Sequence, residues 1–301
     1  MQGWQPDVRN LLTRLRDWLG DWVGTFLGHK GAVWCARLSG GDAARAVSGS
    51  ADFSACVYTL TSKVWDTYTG ESLHTITHGH IVRSVGIDRA GRKILTGGNE
   101  LKLRLFDLGK DDSVDTAAVF KRGGAEESHD APVRSIVQSW DDENVIATAE
   151  EKAIHWWDAR TLDHVHTLPF EQPIVSMERS CGSFGERLAL ATGHDVVFID
   201  LKRCVSANSH DVVRKHTLDI APSCAALHPI RGDRFVAGSV DDEWVRIYDA
   251  AGEQLDLHKG HHGPVHCVSY TPDGQVAASG SEDGTIRLWQ NTPGAKYGLW
   301  A

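Results

Sequence analysis

The densest group of side chains able to bind a metal lies near the C-terminal end of the sequence. It consists of His258, His261, His262, His266 and Cys267. Zinc requires three or four ligands that converge on one point. His266 and Cys267 are neighbours in a predicted strand and so point to opposite faces, and His261 belongs to a repeat described below. We therefore predict neither a metal nor any other cofactor.

Serine, histidine and aspartate recur along the chain and raise the question of nucleophilic catalysis. The sequence contains no GxSxG, HExxH or GxxxxGK pattern, and no GxGxxG after a predicted strand, which are local signatures of common enzyme sites. The serines and histidines recur instead at regular spacing, and the glycines lie in predicted turns. We predict a protein without enzymatic activity and without a small-molecule substrate.

The regular spacing is clearest in residues 259–289, which read KGHHGPVHCVSYTPDGQVAASGSEDGTIRLW. Apolar and polar residues alternate in three runs, which a Pro-Asp-Gly turn and a Ser-Glu-Asp-Gly turn separate. Such alternation, interrupted by turn residues, is typical of antiparallel strands in a meander. A unit of this kind, about 40–45 residues long, is typical of one blade of a WD-repeat β-propeller.

The same order of residues recurs upstream and predicts six repeats. They begin at about residues 28, 77, 128, 170, 220 and 260. The predicted fold class is all-β, a WD-repeat β-propeller that forms a single domain over residues 1–301. Residues 11–27 are predicted to be the remnant of a further, upstream blade, and residues 1–10 are unassigned.

We expect a buried side-chain network to hold the repeats that contain a histidine. A histidine before the first strand, a hydroxyl on the second, an acid in the next turn and a tryptophan on the third can be linked by hydrogen bonds. The first repeat offers His29, Ser48, Asp52 and Trp65; the third offers His129, Thr148, Glu151 and Trp157; the last offers His261, Ser279, Asp283 and Trp289. The second has His78, Thr96 and Glu100, but its Phe106 lacks an indole N–H.

The first repeat contains an interruption. Asp283 and Trp289 are six positions apart, whereas Asp52 and Trp65 are thirteen apart. Residues 56–62 are therefore interpreted as an insertion, either a lengthened loop or a mis-spliced boundary. We predict that Lys63 to Asp66 form the third strand and that residues 56–62 are displaced outward.

The N-terminal residues allow two interpretations. Val8 to Trp22 place six large apolar residues on one helical face, as in an amphipathic helix for a membrane or a partner. The alternative, which we favour, is a third strand at 12–16, a turn at 17–21 and an outer strand at 22–27. A propeller that lacks most of a blade exposes sheet edges, so we expect the sequence to be an incomplete version of a longer protein.

Composition restricts the partners. The net charge of −9 and the pI of about 5.9 argue against a protein whose whole surface binds nucleic acid, although they allow a local basic patch. We expect only indirect contact with RNA. No apolar run approaches the length of about 18 residues that spans a bilayer, and we expect no membrane insertion. Six cysteines without a CxxC pair are typical of a reducing, intracellular compartment.

Several stretches are more specific than the general repeat pattern. They are residues 20–34 (GDWVGTFLGHKGAVW), residues 259–267 (KGHHGPVHC), Ser50 to Phe53, Ile94 to Gly98 and Tyr297 to Trp300. From about Leu15 to the C-terminus, this series resembles the WD-repeat family of serine-threonine kinase receptor-associated proteins, also called unr-interacting proteins. The first and last thirds are specific, and residues 110–235 follow only the repeat.

The resemblance implies a seven-bladed scaffold, located in the cytoplasm and the nucleus. The partners that it implies are the SMN complex with its Gemin-type subunits, which assembles spliceosomal snRNPs for mRNA splicing, the RNA-binding protein unr, and in animals a receptor kinase of the TGF-β type. The alternative is the similar subunit i of translation initiation factor three, also a seven-bladed WD propeller. A third class, an enzyme with its active site at the centre of the ring, has no residue in its favour.

Partner-binding residues are expected at the narrower end of the ring and around its channel. The residue after the valine that opens each first strand lies near this end, and in G-protein β subunits the matching positions contact partners. These residues are Trp34, Arg83, Arg134 and His266. Trp and Arg are enriched at binding hot spots, and two arginines can meet an acidic peptide through forked hydrogen bonds. The alternative is that Trp34 packs against a neighbouring blade while the arginines are solvated.

Overall fold

The computed structural model describes residues 3–7, 12–16, 22–26, 28–40, 44–59, 72–108, 117–125, 128–182, 184–201 and 212–291. All regular structure in these ranges is β-strand, arranged in seven antiparallel sheets. The repeats predicted from residues 28, 77, 128, 170, 220 and 260 correspond to sheets 2 to 7. Among the described residues, no helix has the length and apolar character needed to cross a membrane.

Each sheet is a meander of consecutive strands. Sheet 1 contains β1 (Gly3–Asp7), β2 (Leu12–Arg16) and β3 (Trp22–Phe26). Sheet 2 contains β4 (Val33–Leu38), β5 (Arg45–Ser50), β6 (Ser54–Thr59) and β7 (His74–Thr77). Sheet 3 contains β8 (Val82–Ile87), β9 (Lys93–Gly98), β10 (Arg104–Asp107) and β11 (Ala118–Val119). Sheet 4 contains β12 (Ser135–Gln138), β13 (Val145–Ala149), β14 (Ala153–Asp158) and β15 (Asp163–Pro169). Sheet 5 contains β16 (Ile174–Gly182), β17 (Gly185–Thr192), β18 (Asp195–Asp200) and β19 (Val212–Thr217). Sheet 6 contains β20 (Pro222–Leu227), β21 (Arg234–Ser239), β22 (Val245–Asp249) and β23 (Gln254–His258). Sheet 7 contains β24 (Val265–Tyr270), β25 (Val276–Ser281) and β26 (Ile286–Gln290).

The first strands of sheets 2 to 7 form the inner part of the molecule. From sheet 2 onward, each first strand packs against the first strand of the next sheet. A first strand is therefore enclosed by its neighbours, and all six residues of β20 are buried. The core lies between the sheets, as where Ile154 and Trp156 of β14 pack against Met177 and Leu188 of sheet 5. This architecture is a WD-repeat β-propeller, as the sequence predicted.

Sheet 1 adds a strand that the sequence did not reveal. Residues 3–7, left unassigned above, form β1 and pair with β2. β2 and β3 are the strands of the strand–turn–strand alternative, and the helix alternative is wrong over residues 12–16. β1 packs against β4 as β5 packs against β8 and β17 against β20, that is, as a second strand against the first strand of the next sheet. Sheet 1 therefore supplies the second, third and outer strands of a blade.

The third strand of the first repeat differs from the prediction. Ser54–Thr59 form β6, and Cys56 lies opposite Ser48 of β5. Residues 56–59 are thus part of the sheet, and the prediction that they are displaced outward is wrong. Tyr58 lies six positions after Asp52, as Trp289 lies after Asp283, and Val57 and Tyr58 have high strand propensity. Residues 60–71, including the predicted strand Lys63 to Asp66, lie outside the described residues.

Candidate partner-binding end

The last repeat contains the complete network. His261 Nε2 lies 2.7 Å from Ser279 Oγ, and Trp289 Nε1–H donates to the same oxygen at 2.7 Å. His261 Nδ1 lies 3.2 Å from Asp283 Oδ2. Burial acts to raise the pKa of Asp283, but hydrogen bonds from the His262 N–H and from Thr285 outweigh it and hold that pKa well below its usual range.

The first repeat forms the same network with a different aromatic residue. His29 Nε2 lies 2.7 Å from Ser48 Oγ, and His29 Nδ1 lies 3.0 Å from Asp52 Oδ2. The buried Tyr58 occupies the aromatic position, with its hydroxyl 3.4 Å from Ser48 Oγ. Trp65, the residue that the sequence suggested for this position, lies outside the described residues.

In the third repeat Glu150 occupies the position of the acid and accepts a hydrogen bond from the Asp130 N–H at 3.1 Å, so the assignment of Glu151 is wrong. Glu150 is not linked to His129, whose Nδ1 is buried without a hydrogen-bond partner in the described part of the chain. His129 Nε2 lies 2.7 Å from Thr148 Oγ1, and Trp157 Nε1–H donates to this oxygen at 2.8 Å. Glu150 is buried and lies 3.1 Å from His155 Nε2, whereas Glu151 is exposed. Thr148 and Trp157 are nine positions apart, compared with ten for Ser279 and Trp289. The shorter turn brings the earlier glutamate inside.

The second repeat does not form the predicted link between His78 and Thr96. His78 Nδ1 instead accepts a hydrogen bond from Arg104 Nη1 at 2.8 Å. His78 Nε2 and Thr96 Oγ1 are buried without a hydrogen-bond partner in the described part of the chain. Phe106 has no N–H to donate to the threonine. Burial and then the charge of Arg104 lower the pKa of His78 to about 4.

His129 makes the third repeat sensitive to acid. Burial, followed by the neighbouring His155, lowers the pKa of His129 from its usual value near 6.5 to about 2. Below pH 6.5, His129 therefore binds a proton in the unfolded chain but stays neutral in the folded chain. Stability is fully present above that pH and falls as the pH drops toward the folded value, by about 2 kcal/mol from this residue at pH 5.

We expect His129→Gln to reduce the loss of unfolding free energy between pH 7 and pH 5, measured by urea denaturation at both values. The matched control is His262→Gln, because the side chain of His262 is exposed. The control should keep the wild-type difference. An equal pH dependence in both variants would show that His129 does not carry the effect.

β-Bulges shape one end of the ring. The register of the first and second strands shifts once in five sheets, and the residue at the shift is Trp34, Arg83, Val175, Ser223 or His266. Arg134 directly precedes β12 at the matching place. A bulge leaves its extra residue unpaired and re-aims its side chain. We call these six residues the bulge rim, and the end of the ring that carries them the bulge end.

Trp34 and Arg83 are brought together on the bulge rim. The Arg83 guanidinium carbon lies 5.4 Å from the centre of the Trp34 ring, which is a cation–π contact. Trp34 is 48% exposed, although it belongs to a strand with buried neighbours on both sides. Trp34 is thus not buried against a neighbouring blade. Its ring and the adjoining positive charge of Arg83 form part of the protein surface.

The other two predicted partner-binding residues lie apart from this pair. Arg134 Nη1–H donates to the Ile174 carbonyl at 3.1 Å, so that its guanidinium ties sheet 4 to the first strand of sheet 5. His266 is exposed on sheet 7, with its Nε2 3.5 Å from Glu282 Oε2. Val175 is an exposed apolar member of the bulge rim that sequence reasoning missed, because Ile174 rather than valine opens β16.

Phe53 is a further apolar residue at the bulge end that the sequence did not identify as a site. It lies in the turn between β5 and β6, is 44% exposed, and its ring centre lies 5.4 Å from that of His80. Its φ is 66°, in the left-handed region that disfavours bulky residues. The corresponding residue of the last repeat is Gly284, with φ 79°. A phenylalanine at a glycine position is the signal that could have revealed it.

The centre of the ring is crossed by an ion pair. Arg37 of β4 and Glu178 of β16 belong to first strands of sheets that are not neighbours, and Arg37 Nη2 lies 2.8 Å from Glu178 Oε1. This contact links opposite sides of the channel. No group of three or more potential metal ligands is found in the described ranges.

Comparison with known proteins agrees with the fold and the repeats. The family model described as "WD domain, G-beta repeat" matches residues 20–59 and 252–290. The eukaryotic translation initiation factor 3 subunit I of Culex quinquefasciatus is 23% identical over 288 residues, covering 89% of this chain and 84% of that protein.

Other relatives are more similar. The serine-threonine kinase receptor-associated protein of Homo sapiens is 37% identical over 281 residues, which cover 93% of this chain and 73% of that protein. The protein of the same name from Dictyostelium discoideum is 36% identical over 275 residues, covering 90% of this chain and 84% of that protein. The chain therefore belongs to the WD-repeat family of serine-threonine kinase receptor-associated proteins.

Proposed function

We propose that the protein is a non-catalytic interaction scaffold in SMN-complex and snRNP assembly and in the control of mRNA translation. In animals, a link to a receptor kinase of the TGF-β type belongs to the same proposal. The observation that carries it is the 37% identity to receptor-associated proteins along 93% of the chain. The proposed partners are Gemin-type subunits and a unr-like RNA-binding protein, with RNA contacted through them. The proposed locations are the cytoplasm and the nucleus.

The bulge end supplies the physical means of binding. Exposed tryptophan and arginine side chains are the residue types that most often dominate binding energy. The first strands hold Trp34 and Arg83 on a rigid frame, so little side-chain freedom is lost when a partner binds. The exposed Val175 and Phe53 enlarge the apolar surface at the same end.

A second candidate function is that of subunit i of translation initiation factor three. The similarity of the chain to such subunits supports it. Co-sedimentation with initiation complexes and small ribosomal subunits would favour it. The lower identity of 23% makes it the weaker candidate.

Affinity purification from the native organism tests the proposal. We expect Gemin-type, Sm or unr-like proteins with the wild-type chain, and about tenfold less of them with Trp34→Ala, since loss of a hot-spot residue costs more than about 1 kcal/mol. Leu255→Ala is the matched control, because Leu255 is exposed on the outer strand β23. Recovery of other complexes without these partners would refute the proposed function.

A further inference from the structure

The turns around Trp34 hold carboxylates that are already engaged. Asp52 accepts hydrogen bonds from the Lys30 N–H at 2.7 Å and from Ser54, and it lies beside His29. Glu100 forms an ion pair with Arg104 and accepts a hydrogen bond from the Gly79 N–H. Both carboxylates are therefore held by partners within their own repeats.

The cations at the same place are unpaired. Within the part of the chain that the structure describes, Lys30, Arg83 and Lys102 form no ion pair, and Arg83 Nε is buried without a hydrogen-bond partner. Lys30 precedes β4 and Lys102 precedes β10, so both lie at the bulge end. This part of the surface is thus positive on a chain with a net charge of −9.

The charge of the bulge end differs from one sector to another. On the sheet 6 side of the bulge end, the turn between β21 and β22 exposes Asp241 and Glu243. An acidic ligand is therefore attracted to one sector of the bulge end and repelled from another, which fixes where it binds.

We propose that the surface formed by Trp34, Arg83, Lys30 and Phe53 binds an extended acidic peptide segment with a large apolar side chain between carboxylates. The apolar side chain packs on Trp34 and Phe53, and a carboxylate accepts forked hydrogen bonds from Arg83. The contact between Arg83 and Trp34 holds the guanidinium in place before the peptide arrives. This inference rests on the proposed function, that the bulge end binds proteins, and names the chemistry of the partner.

Fluorescence anisotropy of labelled peptides with the full chain tests the inference. One short peptide carries Asp and Glu around a single Leu, and its control carries Asn and Gln at the same positions. We expect the acidic peptide to bind about tenfold more tightly at low salt and to lose this advantage at high salt. Equal affinity of the two peptides would overturn the inference, as would stronger binding of oligouridine, an RNA of similar charge.

Two variants locate the site. Arg83→Gln should weaken the acidic peptide about tenfold and leave the amide peptide unchanged, and Trp34→Ala should weaken both. Ile230→Ala is the matched control, because Ile230 is 52% exposed in the connection between β20 and β21, at the opposite end of the ring. If Arg83→Gln binds the acidic peptide like the wild type, while its thermal unfolding is unchanged, the inference is wrong.

The outcome is separable from that of the proposed function. Binding of the acidic peptide without SMN-type or unr-like partners in the affinity purification would retain this surface and refute the proposed function. Capture of those partners, together with equal affinity for the acidic and the amide peptide, would support the proposed function and refute this inference.

Discussion

Trp157→Ala is expected to lower the free energy of unfolding by about 4 kcal/mol, in the range found for buried aromatic residues. The Trp157 side chain is 1% exposed and packs edge-to-face against Phe120 and beside His129. Its removal would leave a cavity between the ring of Phe120 and the network. It would also remove the N–H that donates to Thr148 Oγ1. Chemical denaturation followed by circular dichroism measures the change.

Two further variants serve as comparisons for Trp157→Ala. Trp157→Phe keeps an aromatic ring but loses the N–H and part of the buried apolar volume, so we expect a smaller cost of about 2 kcal/mol. Trp34→Ala removes an exposed tryptophan and should change stability by less than about 0.5 kcal/mol. If Trp157→Ala were as harmless as Trp34→Ala, the network would not stabilise the repeat.

Tyr58→Ala is expected to cost about 3 kcal/mol, because Tyr58 is 1% exposed and packs against Phe26 with 4.8 Å between ring centres. This result would establish β6 as the third strand of the first repeat. It follows from the structure and runs against the interpretation of residues 56–62 as an insertion displaced outward. The same denaturation measurement applies.

Tyr58→Phe is the control for the hydroxyl group. The tyrosine oxygen lies 3.4 Å from Ser48 Oγ, a long hydrogen bond, so its loss should cost about 1 kcal/mol or less. A Tyr58→Ala variant with wild-type stability would place this side chain outside the core and restore the interpretation based on Trp65.

The sequence was sufficient for the fold and for the last repeat. His261, Ser279, Asp283 and Trp289 follow the expected spacing, and their side chains meet as predicted because alternation in strands determines which residues share a face. The first repeat was harder, since both SACVYT and SKVWD alternate as a strand does. Only pairing with β5 distinguishes the two segments. Because a tryptophan was expected, Tyr58 was not recognised, although it lies six positions after Asp52 as the repeat requires.

Contacts between distant parts of the chain account for the other differences. Glu150 takes the place expected for Glu151 because the turn between the second and third strands is one residue shorter. The spacing of Thr148 and Trp157 in the sequence already indicates this shorter turn. The bond from Arg134 to the Ile174 carbonyl joins two sheets across 40 positions, and no local pattern reveals it. The placement of Trp34 beside Arg83 also depends on the packing of two sheets, so the sequence suggested the residues but not the cation–π pair.

Hydrogen–deuterium exchange of the chain, alone and bound to its purified partner complex, tests most directly whether partners bind the bulge end. We predict slower exchange on binding in the loops that surround Trp34, Phe53 and Arg83, at residues 28–34, 51–54 and 78–83. Residues 228–233, at the opposite end of the ring, should exchange as in the free chain. Protection of residues 228–233 with unchanged exchange around Trp34 would contradict this account.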